Sequence, residues 1–404
     1  MPFRLALSGL NAASSDLTVT ANNIANVATA GFKGSRSEFA DLFATSQQGV
    51  SATAIGNGVR VSNVSQQFSQ GNIDFTDNSL DLAMSGQGFF VINDNGALSY
   101  TRAGAFQVNN EGYVVNAKQQ RLQVYPPLAN GGFNTGGLSD LSLSTGVSAP
   151  QATSNVDVLL NLPASATQPT NPVFDPADTT SFNNATSLTI YDSLGAAHTA
   201  SMYFIKGPVA NEWTTQLYVD GTAVGSSALE YDNVGQLIDP ASGQIAFPAY
   251  APATGAAPIN MTFDVSDTSQ YGQNFTVNSV TQDGFTTGRL IGIDIDASGV
   301  VQARFTNGRS NALGQIAVAN FANPQGLQQL GDTAWAETFS SGQSIRGVAG
   351  NSGYGLVQAG ALEASNVDIT EQLVNMITAQ RNFQANAQMI STADSITQTI
   401  INIR

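Results

Sequence analysis

Apolar residues near the N-terminus fall seven apart, at Phe3, Leu10, Leu17 and Ile24, and a row of mostly smaller residues lies three further on, at Ala6, Ala13, Thr20 and Val27. A stripe two positions wide in every seven predicts a helix with a coiled-coil-like seam, narrower than the apolar face of an ordinary core helix. Asn11, Ser14, Ser15, Asp16, Asn22 and Asn23 take the other faces, and Asn26 and Gly31 are stop signals because both tolerate left-handed backbone. The C-terminus repeats the pattern at greater length. Asn366 or Asp368 can cap a helix whose seam runs Ile369, Leu373, Met376, Gln380, Phe383, Ala387 and Ile390, shifts phase near Met389, and continues through Ala393, Ile396, Ile400 and Ile403. Such a shift is a stutter, which locally unwinds a coiled coil. With no proline or glycine over about 35 residues, this helix would be roughly 50 Å long. Neither helix buries its seam alone, so they must pair with each other, with further copies, or with both.

Between the ends the pattern changes to period two. Phe89 to Ile92 and Ala97 to Thr101 flank Asn93-Asp94-Asn95-Gly96, a hairpin turn with glycine where positive φ is needed. Ser187 to Asp192 and His198 to Ile205 flank Leu194-Gly195. Trp213, Thr215, Leu217 and Val219 alternate before Asp220-Gly221, and Ile291, Ile293 and Ile295 alternate before Ala297-Ser298-Gly299. The expected fold is mixed and mainly β, with paired N- and C-terminal coiled-coil-like helices and two nested, inserted β domains. Pairing the ends predicts residues 1–31 plus 365–404 as a terminal helical domain and 32–70, rich in Ser, Gly and Gln, as a connecting arm. Residues 71–145 plus 283–364 would form a discontinuous inner β domain, and 146–282 an inserted outer one.

Composition narrows the function. Acidic residues outnumber basic ones 29 to 14, for a net charge of −15. Nucleic acids and anionic membrane surfaces demand clustered Lys and Arg, which this chain lacks. No run approaches the ~20 apolar residues of a membrane span, so membrane insertion is not expected. Polar residues interrupt the N-terminus where the apolar core of a cleaved signal peptide would lie. There is no cysteine, which excludes disulfides and thiolate metal sites. Only 11% of residues are charged, and a neutral polar surface is buried against neighbours more cheaply than an ionised one.

No catalytic, cofactor-binding or metal site is expected. His198, the single histidine, reads as an exposed strand residue without a hydrogen-bonding partner. Gly86-Gln87-Gly88 lacks the strand-then-helix context of a phosphate loop. Asp294 and Asp296 read as one solvated face of a strand, since calcium requires more oxygen ligands in a tight loop.

More specific than periodicity is the run from Ala21 to Lys33 (Ala-Asn-Asn-Ile-Ala-Asn-Val-Ala-Thr-Ala-Gly-Phe-Lys). It resembles the signature shared by the axial proteins of the bacterial flagellum, the rod, hook and hook–filament junction family. Leu362 to Asp368 and Met376 to Arg381 are similar to the C-terminal signature of that family, and Leu80 to Phe90 and Tyr100 to Phe106 match internally. Rod members are shorter. The extra middle of this chain, with Ile190-Tyr191-Asp192-Ser193-Leu194-Gly195 and Thr281-Gln282-Asp283-Gly284-Phe285, resembles hook members in particular; the likeness is weakest from about Gly131 to Asn184.

The resemblance implies a structural subunit polymerising into a hollow, curved, flexible hook that transmits torque from rod to filament. It implies an extracellular place at the flagellum, export without a cleaved signal peptide, and no cofactor. The implied partners are the chain itself, the hook cap, distal rod, hook–filament junction protein, hook-length ruler and flagellar type III export apparatus. The self-assembly seam would comprise Phe3, Leu10, Leu17, Ile24, Leu373, Met376, Phe383, Ile390, Ile396 and Ile400. Phe39 and Phe43 match by spacing the short aromatic export signal of rod and hook substrates, a spacing also given by two core residues one helical turn apart. A distal rod protein of the same family, a fibrous adhesin and a secreted β-rich enzyme are the rival readings. The inserted middle weighs against the first, the paired helices against the second, and the missing convergent polar site against the third.

Overall fold

A computed structural model describes residues 2–42, 56–128, 131–143 and 147–402. The chain divides into two compact units, one of Met1–Thr145, Gly292–Arg304 and Ser310–Arg404, the other of Gly146–Ile291 with Phe305–Arg309.

In the first unit, helix α1 (Pro2–Ala25) packs along helix α2 (Ile369–Asn402). Proline is tolerated in the first turn of α1 because the amide it lacks would have no helical partner there. At the far end the Asn26 side chain turns back to donate to the Asn22 carbonyl at 2.9 Å. Asp368 caps α2, its Oδ1 accepting from the amides of Thr370 at 2.7 Å and Glu371 at 3.2 Å. Residues expected to form a connecting arm include an antiparallel hairpin, β1 (Ser35–Asp41) with β2 (Val59–Gln66), lying against α1. Its apolar positions are too sparse to alternate cleanly, which hid the strands from a pattern reading.

The rest of this unit is antiparallel sheet. The strand Phe89–Asp94 forms a hairpin with Ala97–Thr101 through Asn95-Gly96, both at positive φ. The long strand Ser310–Asn320 pairs with Val300–Phe305, Arg121–Tyr125 and Phe89–Asp94. Alternation sends Phe90, Ile92, Ile316 and Val318 into one apolar cluster, and Phe89, Val91, Ala317 and Ala319 into another. Both faces are therefore covered, so these strands read as unbroken apolar runs. In the second cluster Phe68, Phe89, Phe321, Tyr100 and Trp335 meet edge to face. Trp335 Nε1 donates to Gln66 Oε1 at 2.7 Å, tying β2 to the sheet.

The second unit is built from two sheets. One is a meander of Asn184–Tyr191, Ala197–Lys206, Glu212–Val219, Thr222–Tyr231 and Leu237–Asp239. The other centres on Asn155–Pro163, flanked by Thr262–Asp264, Ser269–Tyr271 and Thr276–Gln282. Val156, Val158, Leu160 and Leu162 meet Met202, Phe204, Trp213 and Leu217 in one core, the arrangement of two sheets packed face to face.

Candidate self-assembly site

Four sequence segments far apart in the chain meet at one buried point beside the helices. Lys33 Nζ lies 2.6 Å from Glu363 Oε1, and Arg102 Nη1 lies 3.2 Å from Glu363 Oε2. The Lys33 and Glu363 side chains are fully buried. Lys33 also donates to the Ser69 carbonyl at 2.7 Å, Arg102 to the Gly86 carbonyl at 2.8 Å, and the Gly71 amide donates to Glu363 Oε1 at 2.9 Å. Burial pulls Lys33 and Arg102 below their ordinary values, against the Glu363 charge that raises both. Gly31 sits at φ +70° with its α-carbon against the Arg102–Ala103 backbone, and its amide donates to the Glu363 carbonyl at 2.7 Å. Any side chain there would collide with that backbone, so the position requires glycine. Spacing alone missed this junction, because Lys33 and Arg102 lie 330 and 261 positions from Glu363. The available signal was a charged residue inside each of three otherwise nearly neutral motifs.

Two asparagines from the terminal signatures clamp the same region. Asn23 Oδ1 accepts from the Ser35 amide at 2.8 Å, while its Nδ2 donates to the Ser35 carbonyl at 2.7 Å and to Gln372 Oε1 at 3.1 Å. It thus joins α1, β1 and α2. Asn366 Oδ1 accepts from the Gly34 amide at 2.8 Å and its Nδ2 donates to the Gln67 carbonyl at 2.7 Å. Asp368 takes the capping role, and Asn366 braces the loops.

The helices meet through small residues. Ala6, Ala12, Ala13 and Thr20 of α1 and Ala379 of α2 are buried, and Gly9 lies directly against the Asn386 side chain. The large row expected as the seam is less covered: Leu10, Leu17 and Ile24 are half-buried, and Phe3 remains 51% exposed. On α2, Met376, Phe383 and Ile390 are half-buried, whereas Leu373 and Ile396 are exposed. The backbone of Ile400 is helical. Ile369, Val374, Ile377, Met389 and Ile401 add to the uncovered apolar surface. One copy therefore satisfies the small row and leaves much of the large rows open.

Phe39 lies in strand β1 and is 44% exposed, which removes the reading of a core pair one helical turn apart. Phe43 falls outside the described residues. His198 corrects its sequence reading outright. It is buried, with Nδ1 2.6 Å from Asp220 Oδ2 and Nε2 3.3 Å from Asp192 Oδ2. The partners come from turns on either side of its strand, which linear spacing did not expose. Asp296 is not on a strand face: its Oδ1 accepts from the amides of Ser298 and Val300, at 2.9 Å each, to hold a turn. Among the described residues no helix is long and apolar enough to cross a membrane.

The chain is similar to known proteins along its whole length. Residues 3–33 match the family described as flagella basal body rod protein, and residues 358–403 match the flagellar basal body rod FlgEFG protein C-terminal family. Residues 83–161 match the flagellar hook protein FlgE/F/G D1 domain, and residues 161–285 the flagellar basal body protein FlaE D2 domain. Flagellar hook protein FlgE of Escherichia coli (strain K12) is 39% identical over 100% of both chains. That of Salmonella typhimurium is 36% identical over 100% of both, and that of Borreliella burgdorferi 31% identical over 98% of both. A crystal structure of Helicobacter pylori flagellar hook protein FlgE2 shares the fold at TM-score 0.54 and 14% identity, covering 72% of this chain and 100% of that one.

Proposed function

We propose a mode of assembly for this chain, which belongs to the flagellar hook protein family and is a structural subunit of the bacterial flagellar hook, not an enzyme. Membership implies self-polymerisation into the hook. In our reading the polymer is a hollow, curved tube that bends while transmitting torque. The terminal helices form its inner wall. Phe3, Leu10, Leu17, Ile24, Leu373, Met376, Phe383, Ile390, Ile396 and Ile400 supply the contacts between copies.

One observation carries this reading: α1 and α2 bury their small residues against each other and leave large apolar side chains open. Covering an exposed Leu or Ile contributes about 1.5–3 kcal/mol, so neighbouring helices gain most by packing there. The neutral polar surface of the β layers exchanges contacts at little desolvation cost, which lets one side of a curved tube lengthen as the other shortens. Export without a cleaved signal peptide, recognition through Phe39 and Phe43, and engagement of the hook cap, distal rod, junction protein, length ruler and type III export apparatus complete the proposal.

Electron microscopy of the purified, polymerised chain tests it. Hollow curved tubes are expected, and straight rods or persistent monomers would overturn the reading. Leu373→Asp, at an exposed helix position, should abolish tubes while the β units keep their circular dichroism and melting.

A further inference from the structure

A cleft of about 480 Å³ opens in the first unit where α1, α2 and β1 meet. Its walls carry three carboxylates, Asp16 from α1, Glu371 from α2 and Asp368, which caps α2. The cation at its rim, Arg36, already pairs with Glu38 at 3.3 Å. Ser35, Ser37 and Phe39 alternate onto the cleft-lining face of β1. The Ser37 hydroxyl among them is buried and has no hydrogen-bond partner among the described residues. Buried hydroxyls in native proteins are paired, so this one marks a place awaiting a donor. Excess negative charge beside it asks for a cationic donor.

The other side of α2 carries such a group. Leu373, Ile377 and Arg381 follow at i, i+4 and i+8, forming one ridge, with Leu373 46% and Ile377 50% exposed. Arg381 is exposed and forms no hydrogen bond or ion pair among the described residues. At 3.6 residues per turn Leu373 and Ile377 face away from Asp368 and Glu371, which line the cleft, and Arg381 follows Thr378 by three positions at its edge. An open polymer requires such a head-to-tail arrangement, in which one patch meets a different patch on the next copy.

We infer that the cleft of one subunit receives the Leu373–Ile377–Arg381 ridge of a second copy of this chain. The Arg381 guanidinium lies between the Asp16 and Glu371 carboxylates and donates to Ser37 Oγ, while Leu373 and Ile377 cover apolar surface at the cleft mouth. The contact rests on the polymerisation proposed above and names its partner surfaces.

Charge reversal in the full-length chain, at low ionic strength where screening is weak, provides the test. Arg381→Glu and Glu371→Lys, both at exposed positions, should each raise the critical concentration for tube formation by about tenfold or more. Circular dichroism should stay unchanged. An equimolar mixture of the two variants should co-assemble near the wild-type concentration, because each supplies the charge the other lost. Wild-type tubes together with Arg381→Glu tubes at the same concentration would overturn the contact and leave the hook reading standing. Loss of assembly in Glu371→Lys alone would assign the cleft to another occupant and overturn it equally. Failure of the mixture to assemble would do the same. A wild-type chain that forms no tubes would overturn the hook reading, and this contact with it.

Discussion

Glu363 faces Lys33 and Arg102 where all three are out of solvent, so neither cation can be left without it at low cost. An intact buried ion cluster adds little net stability, but removing one partner costs about 3–5 kcal/mol because the remaining charges stay buried. Glu363→Gln should therefore lower the unfolding free energy of the first unit by that amount, read as a shifted denaturant midpoint at unchanged slope. His198 makes a second prediction. Burial works against its charged form, but hydrogen bonds to Asp220 and then Asp192 outweigh it and hold the imidazole above its ordinary 6.5. A raised histidine value stabilises the fold fully below the unfolded value, and that stability is lost as pH rises through the folded value. The melting temperature of the second unit should accordingly fall on the alkaline side of 6.5. The single histidine proton resonance should titrate in step, and a His198→Gln variant should melt lower, with that alkaline dependence gone.

At the level of elements, side-chain size at the helix contact sets how closely α1 and α2 approach. Ala379 is 1% exposed against α1. Ala379→Leu should force the helices apart, cost about 1–3 kcal/mol by overpacking, and weaken tube formation even though the change is apolar. Turns show the same dependence on local fit. Asn95-Gly96 and Asp220-Gly221 place glycine at the second left-handed position, whereas Asp332-Thr333 puts a β-branched residue there at φ 54°. Thr333→Gly should raise stability by roughly 0.5–1 kcal/mol, the relieved strain less the extra chain entropy of glycine, measured by thermal melting. The strands themselves were legible wherever one face is wet, as from Trp213 to Val219. The hairpin of β1 and β2 was not, because Arg36, Glu38, Arg60 and Asn63 break its alternation and long-range packing on α1 stabilises it instead.

For the whole molecule, the separate core of the second unit makes it removable. Its entering and leaving segments meet in an isolated bridge at Ser148 and Gly288, the Ser148 amide donating to the Gly288 carbonyl at 2.7 Å. Those ends are close enough for a short Gly-Ser linker. A chain lacking residues 149–287 should fold its first unit and still polymerise, as seen by sedimentation and microscopy, with altered curvature or stiffness. Failure to assemble would count against placing the contacts in the terminal helices.

The sequence by itself determined that two helices stand at the ends, that strands fill the middle, and which family the motifs match, because periodicity and short signatures are local properties of the chain. It also located the asparagines of Asn22-Asn23 and Asn366 without saying what they hold. Tertiary structure alone decided that Asn23 joins three elements, that Lys33, Arg102 and Glu363 share one buried point, and that His198 lies between two carboxylates. It also decided that the small row of α1 closes the helix pair while Phe3, Leu373 and Ile396 of the large rows stay exposed. Those outcomes depend on which distant surfaces meet, and no period or spacing along the chain encodes that.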